Sequence, residues 1–302
     1  MGRKSKVQKA LEDASKKITR FFDTQTQQVF RKTELYRLFK AQDKTWGLPS
    51  SMLARELFSK LPLTLPEMKA KEFHFYGNDT MLYLWGKPSV YEVAMTLDPQ
   101  AYLSHYSALF LNDLTDQIPK IIYLNHEQKQ KALGDALLET EIPQEQIDDA
   151  FSRPQRISKN IVEYDQNSSL CLLNGMGDGK VGIVVRQVPP KLTVRVSDLE
   201  RTLLDCAVSP YYAGGVFQVR DAFTRAAERL SVNKLIAYLR KMKYRYPFHQ
   251  VIGFYLEASG AYKDKQLALL DAFPRKRKFY LMHGIEKAKF SERWQLYYPE
   301  GL

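Results

Sequence analysis

The stretch Val196–Val216, read V-S-D-L-E-R-T-L-L-D-C-A-V-S-P-Y-Y-A-G-G-V, restricts the fold more than any other part of the chain. Ser197 can accept from the first free amides of a helix while Glu200 reaches back to the Ser197 amide, so a helix is expected to begin here. Leu199, Leu203, Leu204, Ala207 and Val208 follow at helical spacing and form one apolar face, which Pro210 ends. Arg201 and Asp205 are four residues apart and can pair on one turn. An ion-paired helix is therefore preferred to a carboxylate catalytic site. Gly214 and Gly215 mark a point where the backbone needs positive φ or close approach before another helix.

A chain of 302 residues with 44% apolar content can bury the cores of two or three domains. It has no apolar run of bilayer length, and its start, M-G-R-K-S-K, leads into a charged amphipathic segment. A soluble cytoplasmic protein with no membrane partner is expected. Cys171 and Cys206 sit in apolar runs without metal-ligand spacing, so they read as buried thiols, and no disulfide framework, metal or cofactor is expected. The charge is uneven. Residues 1–90 hold 17 Lys and Arg against 9 Asp and Glu, whereas the other residues hold 28 against 25. A basic terminal module on a nearly neutral body suits a phosphate-binding domain joined to a regulatory one.

Within that module, Val7–Phe22 places Val7, Leu11, Ala14, Ile18 and Phe22 on one helical face. Thr33 can cap a second helix running to about Asp43, and Ser50 or Ser51 a third through Met52, Leu57 and Leu61. Glu72–Tyr76, the turn Gly77-Asn78-Asp79 and Thr80–Trp85 then read as a hairpin. Three helices and a hairpin describe a winged helix-turn-helix domain over 1–88, with the third helix entering the major groove. The residues expected to face double-stranded DNA are Ser50, Ser51, Arg55 and Lys60, with Lys69 and Lys71 leading into the wing and Lys44 in the turn.

Residues 89–302 read as an α/β domain with a mixed central sheet and flanking helices, so the fold class of the whole chain is α/β (α+β). Ser89 opens a helix and Asp98-Pro99 a second, carrying Y-L-S-H-Y-S-A-L-F-L to Leu114. His105 reads as a hydrogen-bonded core residue, because its serine neighbours point to other sides of the helix. A strand is expected at Lys120–Leu124, and helices at Gln128–Leu138 and Gln144–Phe151 amid an acidic run. Further strands are expected at Ile157–Tyr164, Leu170–Leu173, Val181–Arg186 and Leu192–Val196. N-G-M-G-D-G-K fails as a phosphate loop, since its glycine spacing is one residue short and Val181 stands at the hydroxyl position; it reads as a hairpin turn. Helices at Val216–Leu230 and Asn233–Met242 precede an apolar helix ending near Ser259-Gly260. The tetrad Arg275-Lys276-Arg277-Lys278 is either a solvated turn or a second phosphate contact.

Several of these segments, in order, carry a family resemblance: AYLSHYSAL, LTDQIP, DDAFSRPQRIS, SDLERTLLD, YYAGGV, YPFHQVIGFYLEASGAY, FYLMHG and WQLYYPEGL. Together they resemble the AbiEi family, the antitoxin and transcriptional repressor of type IV (AbiE) toxin-antitoxin operons. The resemblance implies a winged-helix DNA-binding domain joined to an α/β antitoxin domain. It also implies repression of the protein's own operon through upstream inverted repeats, and opposition to a nucleotidyltransferase-like toxin without a required direct contact. A different class is offered by Asp116, Glu127 and Lys129, which loosely imitate the Asp…Glu-x-Lys site of magnesium-dependent restriction-type nucleases.

Overall fold

The computed structural model describes residues 4–75, 78–128, 142–176, 179–189 and 191–302. The chain divides into two compact units, residues 1–99 with 187–194 and residues 100–186 with 195–302. Helix Val90–Leu97 falls in the first unit, beyond the boundary at 88 drawn from sequence.

The first unit runs α1 (Lys6–Thr24), β1 (Val29–Arg31), α2 (Lys32–Ala41), α3 (Asp43–Trp46), α4 (Ala54–Thr64), β2 (Met68–Phe75), β3 (Asn78–Trp85) and α5 (Val90–Leu97). Its strands form one antiparallel sheet in the order β1-β3-β2. Strand β1 has no local signature in the sequence. Three residues are too few to show an alternation, and the strand exists through its pairing with Leu82, Tyr83 and Leu84. Two helix starts also differ from expectation. Helix α2 begins after Arg31 rather than at a Thr33 cap, with Glu34 accepting from the Arg31 amide at 2.9 Å. Helix α4 begins after Leu53, where Glu56 accepts from the Leu53 amide at 3.0 Å. Ser50 and Ser51 lie in the preceding turn.

The large sheet is mixed. Its order is β6 (Ile161–Glu163), β7 (Ser169–Met176), β5 (Ile121–Gln128), β4 (Tyr102–Leu103), β9 (Leu192–Ser197), β8 (Ile183–Val188). Strands β5 and β7 are parallel, as are β4 and β9, whereas β4–β5 and β6–β7 are antiparallel. This order corrects two expectations. Strands β7 and β8 are not neighbours, so the glycine-rich segment between them connects distant strands and is not a hairpin turn; residues 177–178 of it lie outside the described part. Tyr102 and Leu103, expected inside a helix, pair with Asn125 and Leu124 as strand β4, and the helix shrinks to α6 (His105–Leu111). Sheet pairing there overrides the helical spacing. The helix expected at Gln128–Leu138 falls almost wholly on residues 129–141, outside the described part.

The second unit continues with α7 (Gln144–Ser152), α8 (Leu199–Val208), α9 (Val216–Ala226), α10 (Val232–Met242) and α11 (Phe248–Ala258). A three-stranded sheet, Phe279–Tyr280, Leu296–Pro299 and Ala288–Ser291 in that order, follows them. Helix α8 is the hub, touching α6, α9, α10 and α11. Leu203, Leu204 and Cys206 on it are fully buried, as are Phe223 on α9 and Tyr255 on α11. Its cap is Asp198, which accepts from the Arg201 amide at 2.9 Å, one residue beyond the expected Ser197. Ser197 ends β9 instead, its hydroxyl 2.8 Å from that of Thr202, and Glu200 accepts from the Ser231 amide at 3.0 Å. Gly214 and Gly215 have φ of 83° and 94°, as the double glycine predicts, and Gly215 caps α9.

Candidate nucleic-acid interface

Aromatic packing sets the helices of the first unit. Phe22 of α1 stacks on Trp85 at 5.1 Å between ring centroids, and Phe39 of α2 meets Trp46 of α3 edge-on at 5.0 Å. The turn ahead of α4 is tied back to α2: Tyr36 donates its hydroxyl to the Met52 carbonyl at 3.0 Å, and Lys40 donates to the Ser50 carbonyl. This leaves Ser50 and Ser51 exposed at the entry to α4, with Lys44 exposed on α3.

Helix α4 buries Leu57 and Leu61. Arg55, in its first turn, is exposed and Lys60 is half-buried. Strand β2, which packs beside α4, carries Lys69 exposed and Lys71 half-buried, so these two lie within the hairpin strand rather than ahead of it. Lys71 sits 5.7 Å from the Phe73 ring centroid. Lys44, Arg55, Lys60 and Lys69 have no ion-pair partner among the described residues, which leaves their charge available to an anion.

Two cations on α2 were missed from sequence. Arg37 is exposed and likewise has no ion-pair partner among the described residues. Lys32 lies 5.3 Å from the ring centroid of Phe58 on α4, which places it beside that helix. The far end of the hairpin has the opposite character, with His74 at 3.1 Å from Asp79 and 3.6 Å from Glu72, all exposed. Phosphate contact therefore suits the Lys69 and Lys71 end of β2 better than the tip.

The other sequence candidates are occupied elsewhere. Asp116 is 84% exposed and pairs with Arg225 at 2.6 Å, which holds its carboxyl below the usual carboxylate range. The Glu127 side chain is 5% exposed and pairs with Arg201 at 2.8 Å. The two carboxylates sit in opposite environments, Lys129 lies outside the described residues, and neither acid joins a metal-ligand group among the described residues. Arg275 is held by Asp271, by the Arg293 carbonyl at 2.7 Å and by the Trp294 ring at 4.8 Å, so it serves the structure of the tail. His105 is buried with Nδ1 2.9 Å from the Ser104 hydroxyl, and His249 has Nε2 2.9 Å from the Pro274 carbonyl.

No family model and no curated protein matches the chain. A solved structure does resemble it. The crystal structure of RV2827C protein from Mycobacterium tuberculosis is similar over 94% of this chain and 90% of that chain, at 12% identity and a TM-score of 0.58. At that identity the likeness is one of fold, a mixed α/β chain with flanking helices. No helix among the described residues is long and apolar enough to cross a membrane.

Proposed function

We propose that the chain is a DNA-binding transcriptional repressor, its first unit acting as a winged helix-turn-helix domain with α4 in the major groove and β2 along the backbone. The observation that carries this reading is the set of unpaired cations, Arg55 and Lys60 on α4 with Lys69 on the adjoining strand, in the part of the chain that holds most of its excess positive charge. The order helix, strand, three helices and hairpin, with β1 pairing with β3, supports this reading, although the short α3 makes one helix more than the three read from the sequence. The operon role rests on the AbiEi-like motifs alone: a cytoplasmic antitoxin that represses its own promoter and opposes a nucleotidyltransferase-like toxin, with no direct contact needed.

The test is an anisotropy titration with DNA from immediately upstream of the protein's own gene against scrambled DNA, at two salt concentrations. Tight, sequence-selective binding that weakens steeply with salt is expected, because each neutralised phosphate releases counterions. Equal binding of the two DNAs, or none, overturns the reading. Arg55→Ala and Lys60→Ala should each weaken binding. Unchanged affinity in both would move the contact to another element, with Lys32 and Arg37 on α2 next in line.

A further inference from the structure

Strand β2 turns one face of its hairpin to the core and the other to solvent. Phe73 and Phe75 are buried, while Glu72 and His74 are exposed, the alternation that a pleated strand imposes. The ladder pairs His74 with Asp79 on β3, so the two side chains stand directly opposite each other on the exposed face. Glu72, two residues back along β2, stands on that face too. Backbone register thus brings three side chains able to bind a metal to one place.

Their ends converge. Each residue offers one ligand atom, and the three atoms lie within 4.8 Å of one another. His74 Nδ1 is 3.1 Å from Asp79 Oδ1, and its Nε2 is 3.6 Å from Glu72 Oε2. A neutral imidazole has a proton on one nitrogen and a lone pair on the other. It can therefore donate to only one of the two carboxylates, and its lone pair then faces the other. Among the described residues no Lys or Arg pairs with Glu72 or Asp79, so two negative charges share this end of the hairpin with one ring between them. A metal ion held by all three side chains takes the lone pair and neutralises both carboxylates.

The donor set selects the ion. Imidazole nitrogen with carboxylate oxygen suits zinc, whereas magnesium and calcium take shells of about six oxygens or more. Bonds of about 2.0–2.2 Å place neighbouring ligands on a tetrahedral zinc ion about 3.3 Å apart, close to the two separations above. One nitrogen serves the ion, so the carboxylate facing the other nitrogen has to swing round the ring. Glu72, with the longer side chain of the two acids and an exposed position, has the freedom to do so.

We propose that this end of the hairpin is a zinc site, Glu72, His74 and Asp79 each supplying one ligand and water completing the shell. Three protein ligands and an open position make an accessible site rather than a closed structural one. The site lies wholly within the first unit and does not depend on the DNA-binding reading.

The experiment is calorimetric titration of the untagged, chelator-treated full chain with zinc chloride, and separately with magnesium chloride. Zinc should bind in the micromolar range and magnesium should give no saturable heat at the same concentrations. His74→Ala and Asp79→Asn, both altered at exposed positions, should melt like the parent and each lose at least tenfold in zinc affinity; Glu72→Gln gives the same reading should either of them lower the melting temperature. The proposal is overturned if zinc does not bind at millimolar concentration, if magnesium binds as tightly as zinc, or if any of these variants, melting like the parent, binds zinc as tightly as the parent does.

Discussion

Charged residues on α8 and on the α4–β2 face are used in opposite ways. On α8 and at its cap, the side chains of Asp198, Glu200, Arg201 and Asp205 are at most 12% exposed, and each has a partner: Lys234 bridges Asp198 at 3.0 Å and Glu200 at 2.8 Å, and Arg201 joins Asp205 and Glu127. On α4 and β2, Arg55, Lys60 and Lys69 have no such partners among the described residues. A buried charge without a partner would be expelled from the fold, so pairing is obligatory around α8. An exposed charge is solvated by water and remains free to meet a ligand. Residue type alone does not separate the two cases; burial does.

Removing Arg201 should therefore produce the largest effect. Arg201→Met leaves the Glu127 and Asp205 carboxylates buried without their shared cation, a loss of about 3–5 kcal/mol that removes much of a typical domain's stability. Urea unfolding measures it. Adding Glu127→Gln and Asp205→Asn to Arg201→Met should recover part of the loss, since the uncompensated charge goes with them. A single-variant loss below about 1 kcal/mol would mean that the network is hydrated and that the contrast between α8 and α4 is weaker than drawn.

The histidines extend the contrast to pH. Burial lowers His105 and His249 to about 4, against 6.5 for a free imidazole. Between pH 6.5 and 4 the unfolded chain binds protons at these positions that the folded chain does not. Stability therefore rises with pH across that window and is lost as pH falls through it. For His105 the full effect approaches about 3 kcal/mol, and it is smaller for the partly exposed His249. Unfolding at pH 7 and pH 5 should show a steeper decline in the parent than in His105→Gln; equal slopes would show that His105 is already accessible to protons.

A third, smaller effect concerns close packing on α11. Gly253 lies against the buried Trp294, and a Cβ there would overlap the indole. Gly253→Ala should cost about 1–3 kcal/mol by overpacking, read as a lower melting temperature. A variant that melts like the parent would show that Trp294 can move aside.

Much of the second unit was legible because its helices carry long apolar faces: α9, α10 and α11 stand close to where Val219, Leu235 and Val251 place them. What was not legible is non-local. Strand β4 is two residues whose helical spacing loses to pairing with β5 and β9, and the six-strand order separates β7 from β8 although they are consecutive in sequence. The i, i+4 pair Arg201–Asp205 was readable, but Glu127 as a second partner was not, since it lies 74 residues away. Of the buried polar residues, His105, Arg201 and Asp205 stand out in the sequence, each as a residue of the fold rather than of a binding site.

The smallest expected effect on stability is also the sharpest test of the contrast. Arg55→Ala removes an exposed, unpaired side chain from the solvent side of α4, so unfolding free energy should change by less than about 0.5 kcal/mol. Alanine's helix propensity differs little from that of arginine, which leaves no compensating local effect. If Arg55 meets a phosphate, the same variant should flatten the salt dependence of DNA affinity by about one unit of logarithmic slope. Stability preserved and slope reduced would mark a charge kept for a ligand. Stability lost would mean that Arg55 supports α4 itself, and the contrast between the charges of α4 and those of α8 would fail.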